Sequence, residues 1–375
     1  MILKNIKTLA AASLLLMLAA FGVCTAAGWF AAGGIALALF WFAAAGAAKF
    51  SENTKPFSYP LVVIGCVTTS MYFPGLYESW FGFKTTGFVI PILQVIMFGM
   101  GTQLALKDFR QIIVQPGAVF VGVGAQFLIM PLVGFTIASL MPFEPEVAAG
   151  IILVGCVPCG IASNVMNFLA KANIALSLSL TTVATLLGPI MTPLWMNWLV
   201  GESLDIDYWK MAGDIVNLVI FPIAAGLVFK AIFLRKESAA RFVEKFLGVF
   251  SMVGLLLTIV FINAAGRDNL MRIGALLIVA CLLHNCGGYF LGYWLARLFR
   301  FDEKSCRTIA IEVGMQNGGL AAGLALQMGK AATMGLAPAI CSPLMNITGA
   351  SLAIWWRKKT ERQEEKNNTK NGIKK

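Results

Sequence analysis

Apolar runs of roughly 20 residues, the length of helix that crosses a bilayer core, recur along almost the whole chain. Lipid offers no hydrogen bonds, so each such run must satisfy its own backbone. That restricts the fold to packed helices, with irregular backbone only where protein or a cavity encloses it. Spans are expected near 8–27, 29–48, 59–74, 87–106, 114–141, 147–171, 174–200, 209–234, 246–265, 272–299, 306–328 and 333–356. Only 13% of the 375 residues are charged, where a soluble protein carries about a quarter. No gap between runs can hold a soluble domain. The fold class is an all-α polytopic membrane protein.

Charge sets the expected orientation. With the N-terminus in the cytoplasm, 24 of the 29 Lys and Arg fall on the inner side, among them Lys107, Arg110, Arg235, Lys236 and eight from Arg357 onward. This asymmetry fits the positive-inside rule, an even number of spans and two cytoplasmic termini in the cytoplasmic (inner) membrane. Topology thereby accounts for the net charge of +11, and no nucleic-acid partner is needed. Residues 1–50 read as an extra helical hairpin. A signal peptide is the alternative for 1–27, but no good cleavage site follows. Residues 235–245 read as a cytoplasmic amphipathic connector, and 358–375 as a disordered tail.

The spans from 59 to 200 and from 209 to 356 form two sets of five. An odd number per half makes any repeat between them inverted. Val154–Ala162 aligns with Val313–Ala321 at an offset of 159, and Lys171-Ala172 meets Lys330-Ala331 at the same offset. Repeat one therefore covers about 57–200 and repeat two about 209–357, within a transmembrane unit of 51–357. Each carries a Gly- or Pro-interrupted fourth span. Paired interrupted helices at matching positions mark the site of a secondary transporter.

The second interruption, Glu312-Val313-Gly314-Met315-Gln316-Asn317-Gly318-Gly319, puts a carboxylate and two carboxamides inside an apolar segment. An ionisable side chain at membrane depth marks a transport pathway or relay by default. Ser163 and Asn164 follow the first break, and Ser177 and Thr181 share one face of the next span. With Glu312 they supply four neutral oxygens and one anionic one, a chemically sensible sodium cage. Taken singly, such groups more often tie neighbouring helices together; as a set around a broken helix they read as ligands. Gln126 stands alone in an apolar run and must find a polar partner, in the second broken helix or in a purely structural bond. The Cys156-x-x-Cys159 pair and the group Cys281, His284 and Cys286 read as core packing. No nucleophile–base set of an enzyme is present.

At Gly155–Asn164 and Glu312–Leu320 the chain resembles the bile acid:sodium symporter family, over about residues 57–357. The resemblance implies ten helices in an inverted five-plus-five repeat. The first, second, sixth and seventh spans would form a panel domain, and the rest a core domain whose fourth and ninth helices break and cross. It implies one sodium site from Ser163, Asn164, Ser177, Thr181 and Glu312. A second would use Gln126, Glu312, Gln316 and the carbonyls of Val313 and Met315. Asn317 is implied as a substrate contact beside the crossover, and Gly160 and Ile161 as further substrate residues. The implied activity is import of a small organic anion, bile-acid-like or another carboxylate or sulfonate, with two Na⁺ and no organic cofactor.

This chain departs from that pattern in its N-terminal hairpin, in Cys159 where Gly is common, and in Ile161 where a Thr hydroxyl can touch substrate. A proton-coupled or exporting carrier on the same scaffold is the alternative. Pro158-Cys159 is similar to the break of arsenite-efflux carriers, which lack the Glu312–Gly319 motif. A polytopic enzyme or receptor is the remote alternative.

Overall fold

The computed structural model describes residues 2–104, 113–234 and 237–370. Lys107, Arg110, Arg235, Lys236 and residues 371–375 lie outside the described residues. The helices are α1 (Ile2–Ala26), α2 (Phe30–Ala48), α3 (Ser58–Tyr72), α4 (Val89–Gln103), α5 (Pro116–Leu140), α6 (Pro145–Cys156), α7 (Ala162–Leu169) and α8 (Ile174–Leu204). They continue as α9 (Tyr208–Ile215), α10 (Phe221–Phe233), α11 (Glu237–Ala265), α12 (Arg267–Leu298), α13 (Glu303–Gly314), α14 (Gly318–Gln327) and α15 (Leu336–Lys370). Eight helical segments among the described residues are long and apolar enough to cross a membrane, and α6 and α14 are shorter apolar helices. The protein is an all-α, multi-pass membrane protein.

Contacts divide the chain into two compact units. One comprises Met1–Gln103, Asn217–Ile278 and Gly319–Leu344; the other comprises Leu104–Val216, Val279–Gly318 and Met345–Lys375.

In the first unit, α4 and α10 meet backbone to backbone. A Cβ on Gly101 would lie 2.2 Å from the Ile223 carbonyl, and one on Gly226 2.2 Å from the Phe98 carbonyl. Only a missing side chain on each helix permits that approach, the usual device for packing helices in lipid, where hydrophobicity cannot drive them together. Val63, Ile259, Ile262, Ala322 and Ala339 form a buried cluster. A two-stranded hairpin pairs Ser79 with Lys84 and Trp80 with Phe83. Its turn residues Phe81 and Gly82 have φ of 52° and 83°, as a two-residue turn matched to strand twist requires. Helix α2 is tied to α3 here: the Ser58 hydroxyl donates to the Ala45 carbonyl at 2.8 Å.

The second unit holds every side chain that the sequence singles out as a ligand. Its core joins Ala125, Met130, Leu176, Leu180, Ile309 and Val313. Asn173 caps α8, accepting from the Leu176 amide at 3.1 Å. Asp302 caps α13 through the amides of Lys304 and Ser305, placing acidic oxygens at a helix N-terminus. Partial burial works to raise its pKa, but the Ser305 hydroxyl and these amides outweigh that and hold the carboxyl below its ordinary value.

One expectation is corrected. Residues 358–370 of the expected tail are not disordered, for α15 runs on as helix to Lys370. Its residues are good helix formers, and one face is tied down: Thr360 accepts from Arg307 at 2.7 Å and Glu364 pairs with Lys171 at 3.0 Å. Arg307 is itself buried, held by Glu303 at 3.0 Å and the Ala170 carbonyl at 3.2 Å, with its guanidinium over Trp356. From Glu237 the expected connector is helical and runs straight into the following span as the first part of α11, with an Arg241–Glu237 pair one turn apart.

Candidate ion-binding site

Two helix breaks build the site. The chain leaves helix at 157–161, between α6 and α7, and at 315–317, between α13 and α14. The first has a local cause. Pro158 lacks an N–H and disfavours helical backbone at the residue before it, and Val157 is extended, with ψ of 155°. The second has no proline. There Met315 is extended (φ −106°, ψ 101°), and the Gly314 carbonyl is taken by the Asn285 side chain at 2.6 Å, which replaces an intrahelical donor.

Backbone groups freed at this depth must be satisfied by protein, and the two breaks satisfy one another. The Asn317 amide donates to the Pro158 carbonyl at 2.9 Å, and Cys159 and Gln316 form an antiparallel bridge. Gln126 Nε2 donates to the Val157 carbonyl at 3.1 Å and to Gln316 Oε1 at 2.6 Å. Gln316 Nε2 in turn donates to the Val313 carbonyl at 2.5 Å. The lone Gln126 of α5 thus finds its partner in the second break. Gln126, Gln316 and the Val313 carbonyl form one group, and buried Met315 adjoins it in sequence.

Glu312 is the centre of the other group and is 2% exposed. Its Oε1 accepts from Ser177 Oγ at 2.6 Å and from Asn167 Nδ2 at 3.0 Å, and its Oε2 accepts from Thr181 Oγ1 at 2.9 Å. Ser163 and the Cys159 thiol also border the carboxylate, and Ser163 donates to the Gly160 carbonyl at 2.8 Å. Asn164 Oδ1 lies 2.6 Å from Ser177 Oγ and 3.4 Å from Thr181 Oγ1. All five expected members of the first set therefore converge. The described contacts of Glu312 run to this set, to Asn167 and to Cys159, and not to Gln126 or Gln316.

The proton count within this cluster is unusual. Ser177 has one hydroxyl proton and two oxygen acceptors at 2.6 Å; Thr181 has one proton and faces two as well. Oxygens outnumber the protons that could separate them, and the carboxylate meets no basic side chain among the described residues. A buried carboxylate costs several kcal/mol unless a positive charge accompanies it. A cation among these hard oxygens resolves both deficits.

One contributor escaped the sequence reading. Asn167 is fully buried on α7 and donates to both Glu312 Oε1 and Ser177 Oγ. Its place one turn after Asn164, on the same helix face, was the available signal. Asn317, Gly160 and Ile161 are only partly buried. A Cβ on Gly160 would sit 3.5 Å from the Asn317 Cα, so these two implied substrate residues are neighbours. No group of three or more His, Cys, Asp or Glu side chains suited to a resident metal occurs among the described residues.

Multi-pass helices, two interrupted segments bonded to each other and a buried acidic oxygen cluster together define a membrane transporter. The family model that matches, over residues 90–273, is described as the sodium bile acid symporter family. Over 308 residues the chain is 39% identical to an uncharacterised sodium-dependent transporter of Bacillus subtilis, YocS, covering 82% of this chain and 93% of that one. It is 33% identical over 303 residues to the probable chloroplastic sodium/metabolite cotransporter BASS2 of Oryza sativa, covering 80% and 70%. To the BASS1 counterpart of Arabidopsis thaliana it is 32% identical over 310 residues, covering 82% and 75%. The protein belongs to the sodium bile acid symporter family. It is a sodium-dependent membrane transporter and not an enzyme.

The oxygen cluster makes a graded prediction. Thr181→Ala removes one hydroxyl oxygen from the cluster, worth roughly 1 kcal/mol if it meets an ion, and should raise the sodium concentration for half-maximal transport about five-fold with little change in maximal rate. Gln316→Ala should weaken sodium dependence through the other group. Sodium titrations of uptake that leave both variants at the wild-type midpoint would show that these oxygens bind no transported ion.

Proposed function

We propose that this protein imports a small organic anion with two sodium ions by alternating access. The observation that carries the reading is the buried Glu312 carboxylate, set among Ser163, Asn164, Ser177 and Thr181 with no basic partner among the described residues. One ion takes that cluster. The second takes Gln126, Gln316, the carbonyls of Val313 and Met315, and Glu312, which precedes Gln316 by four residues in the chain. On this reading the frame is a ten-helix inverted repeat with core and panel domains, in the cytoplasmic membrane, with both termini inside. Asn317, Gly160 and Ile161 contact the substrate beside the paired breaks. The metabolite named for the plant relatives supports a small organic solute as cargo.

The charge balance favours an anion. Two sodium ions and one Glu312 carboxylate leave one net positive charge, to which the N-termini of α7 and α14 add roughly half an elementary charge each. Sodium should therefore raise anion affinity, and the anion must raise sodium affinity by the same factor. Two sodium ions with a monoanion move one positive charge inward, so an inside-negative potential should accelerate uptake into proteoliposomes. Uptake indifferent to potential would overturn the two-sodium, one-anion stoichiometry. Uptake driven by a proton gradient without sodium would favour a proton-coupled carrier.

A further inference from the structure

Asn167 spends only half of its hydrogen-bonding capacity. Its Nδ2 donates to Ser177 Oγ at 2.9 Å and to Glu312 Oε1 at 3.0 Å. Its Oδ1 is buried and has no hydrogen-bond partner. A buried amide oxygen left unpaired is destabilising, and a helix facing an apolar core would avoid that with a smaller residue. The side chain is 0% exposed, so no solvent compensates it.

The two ends of a carboxamide are nearly identical in shape and opposite in chemistry. A half-turn about the last side-chain bond exchanges them without moving the backbone. In the donor setting, the N–H groups cross-brace the carboxylate and the Ser177 hydroxyl, supplying positive charge of their own. In the acceptor setting, Oδ1 takes the same place, about 3 Å from Glu312 Oε1. Two oxygens at that distance repel unless a cation or a proton lies between them. With Ser177, Thr181, Asn164 and Glu312 already presenting oxygen, a cation there gains a further neutral ligand.

The geometry points to Asn167 as a switching ligand of the first sodium site, donating to Glu312 and Ser177 when the ion has left and turning Oδ1 onto the ion when it binds. This inference rests on the sodium-site reading above. Its functional consequence is that the cluster keeps its shape through the ion-free part of the cycle. Without the donor setting, Glu312 and the Ser177 hydroxyl would lose the group that spans them.

The two roles separate in substitutions. Asn167→Ala loses both. Asn167→Asp keeps an oxygen at the site but loses the donor, and sets a second carboxylate against Glu312. The full-length protein, purified in detergent, is titrated with sodium chloride against choline chloride while its unfolding temperature is followed. Asn167→Ala should raise the sodium midpoint about five-fold, the loss expected for one hydrogen-bonding oxygen. Asn167→Asp should be less stable than wild type in choline, yet show a larger sodium-induced rise and a midpoint no higher than wild type. A merely structural donor would leave Asn167→Asp as weak for sodium as Asn167→Ala, and that result overturns the inference, as does a wild-type midpoint in both. If either protein cannot be recovered, Asn167→Ser, whose single hydroxyl can donate or accept, should give an intermediate midpoint; a wild-type midpoint there also overturns it. Glu312→Gln is run alongside. Retention of the sodium response by that variant defeats the site reading itself, whereas its loss beside unchanged Asn167 variants defeats only the switching role.

Discussion

Glu312→Gln is expected to abolish sodium-driven uptake while leaving a protein that inserts and can be purified. The substitution preserves shape and removes the single formal charge of the cluster. Three side chains now donate to the carboxylate, from Asn167, Ser177 and Thr181. A carboxamide can accept at one end only, and its NH₂ faces hydroxyls that can reorient to accept. The fold therefore survives, since each hydroxyl has lone pairs to offer in place of its proton. The ion does not, because a neutral cage must then dehydrate sodium with no opposing charge in a low-dielectric site. Glu312→Ala removes the oxygens as well and should be equally inactive, with lower stability because three donors are orphaned. The check is sodium-dependent uptake in proteoliposomes, normalised to inserted protein. Wild-type uptake by Glu312→Ala would reduce the cluster to interhelical hydrogen bonding.

The second large effect concerns Gly155, two residues before the first break. A Cβ there would lie 2.3 Å from the Met130 carbonyl oxygen, 2.7 Å from its carbon and 3.0 Å from His284 Nε2. The obstruction is backbone, which cannot rotate away as a side chain could, so α5 and α6 must move apart. Overpacking of this kind costs about 1–3 kcal/mol or more. It should also disturb the ion groups, because Gln126 on α5 holds the Val157 carbonyl two residues beyond Gly155. Gly155→Ala should lower the unfolding temperature and weaken the sodium response together. Gly124, on the same helix α5, is the control: a Cβ there meets nothing within 4 Å. Gly124→Ala should be neutral or stabilising by up to about 1 kcal/mol, the helix-propensity gain. Equal unfolding temperatures for the two variants would show that the α5–α6 approach is not the constraint described here.

What the sequence determined by itself was whatever the bilayer enforces locally. A run of apolar residues too long for loops must be helix, and Pro158 or the Gly314–Gly319 glycines must interrupt it. Glu312 must then be enclosed by polar partners, and Ser163 and Asn164 were candidates because they follow the first break, Ser177 and Thr181 because they share one face of the next span. Tertiary structure decided what depends on distance between remote residues. Ser177 and Glu312 are 135 positions apart and Gln126 and Gln316 are 190 apart, so no local pattern could say that the first pair meets at 2.6 Å or that the second pair faces the freed carbonyls. Asn167 was passed over for the same reason, since an Asn one turn into a helix is unremarkable until Glu312 is seen beside it. The helical tail needed the third dimension too: residues 358–370 are charged enough to read as solvated coil, and contacts with Arg307 and Lys171, from distant parts of the chain, tie down this end of α15. Lipid dictates where helices run and where they break, but side chains brought together from distant spans decide which broken carbonyls and which buried charge are left for an ion.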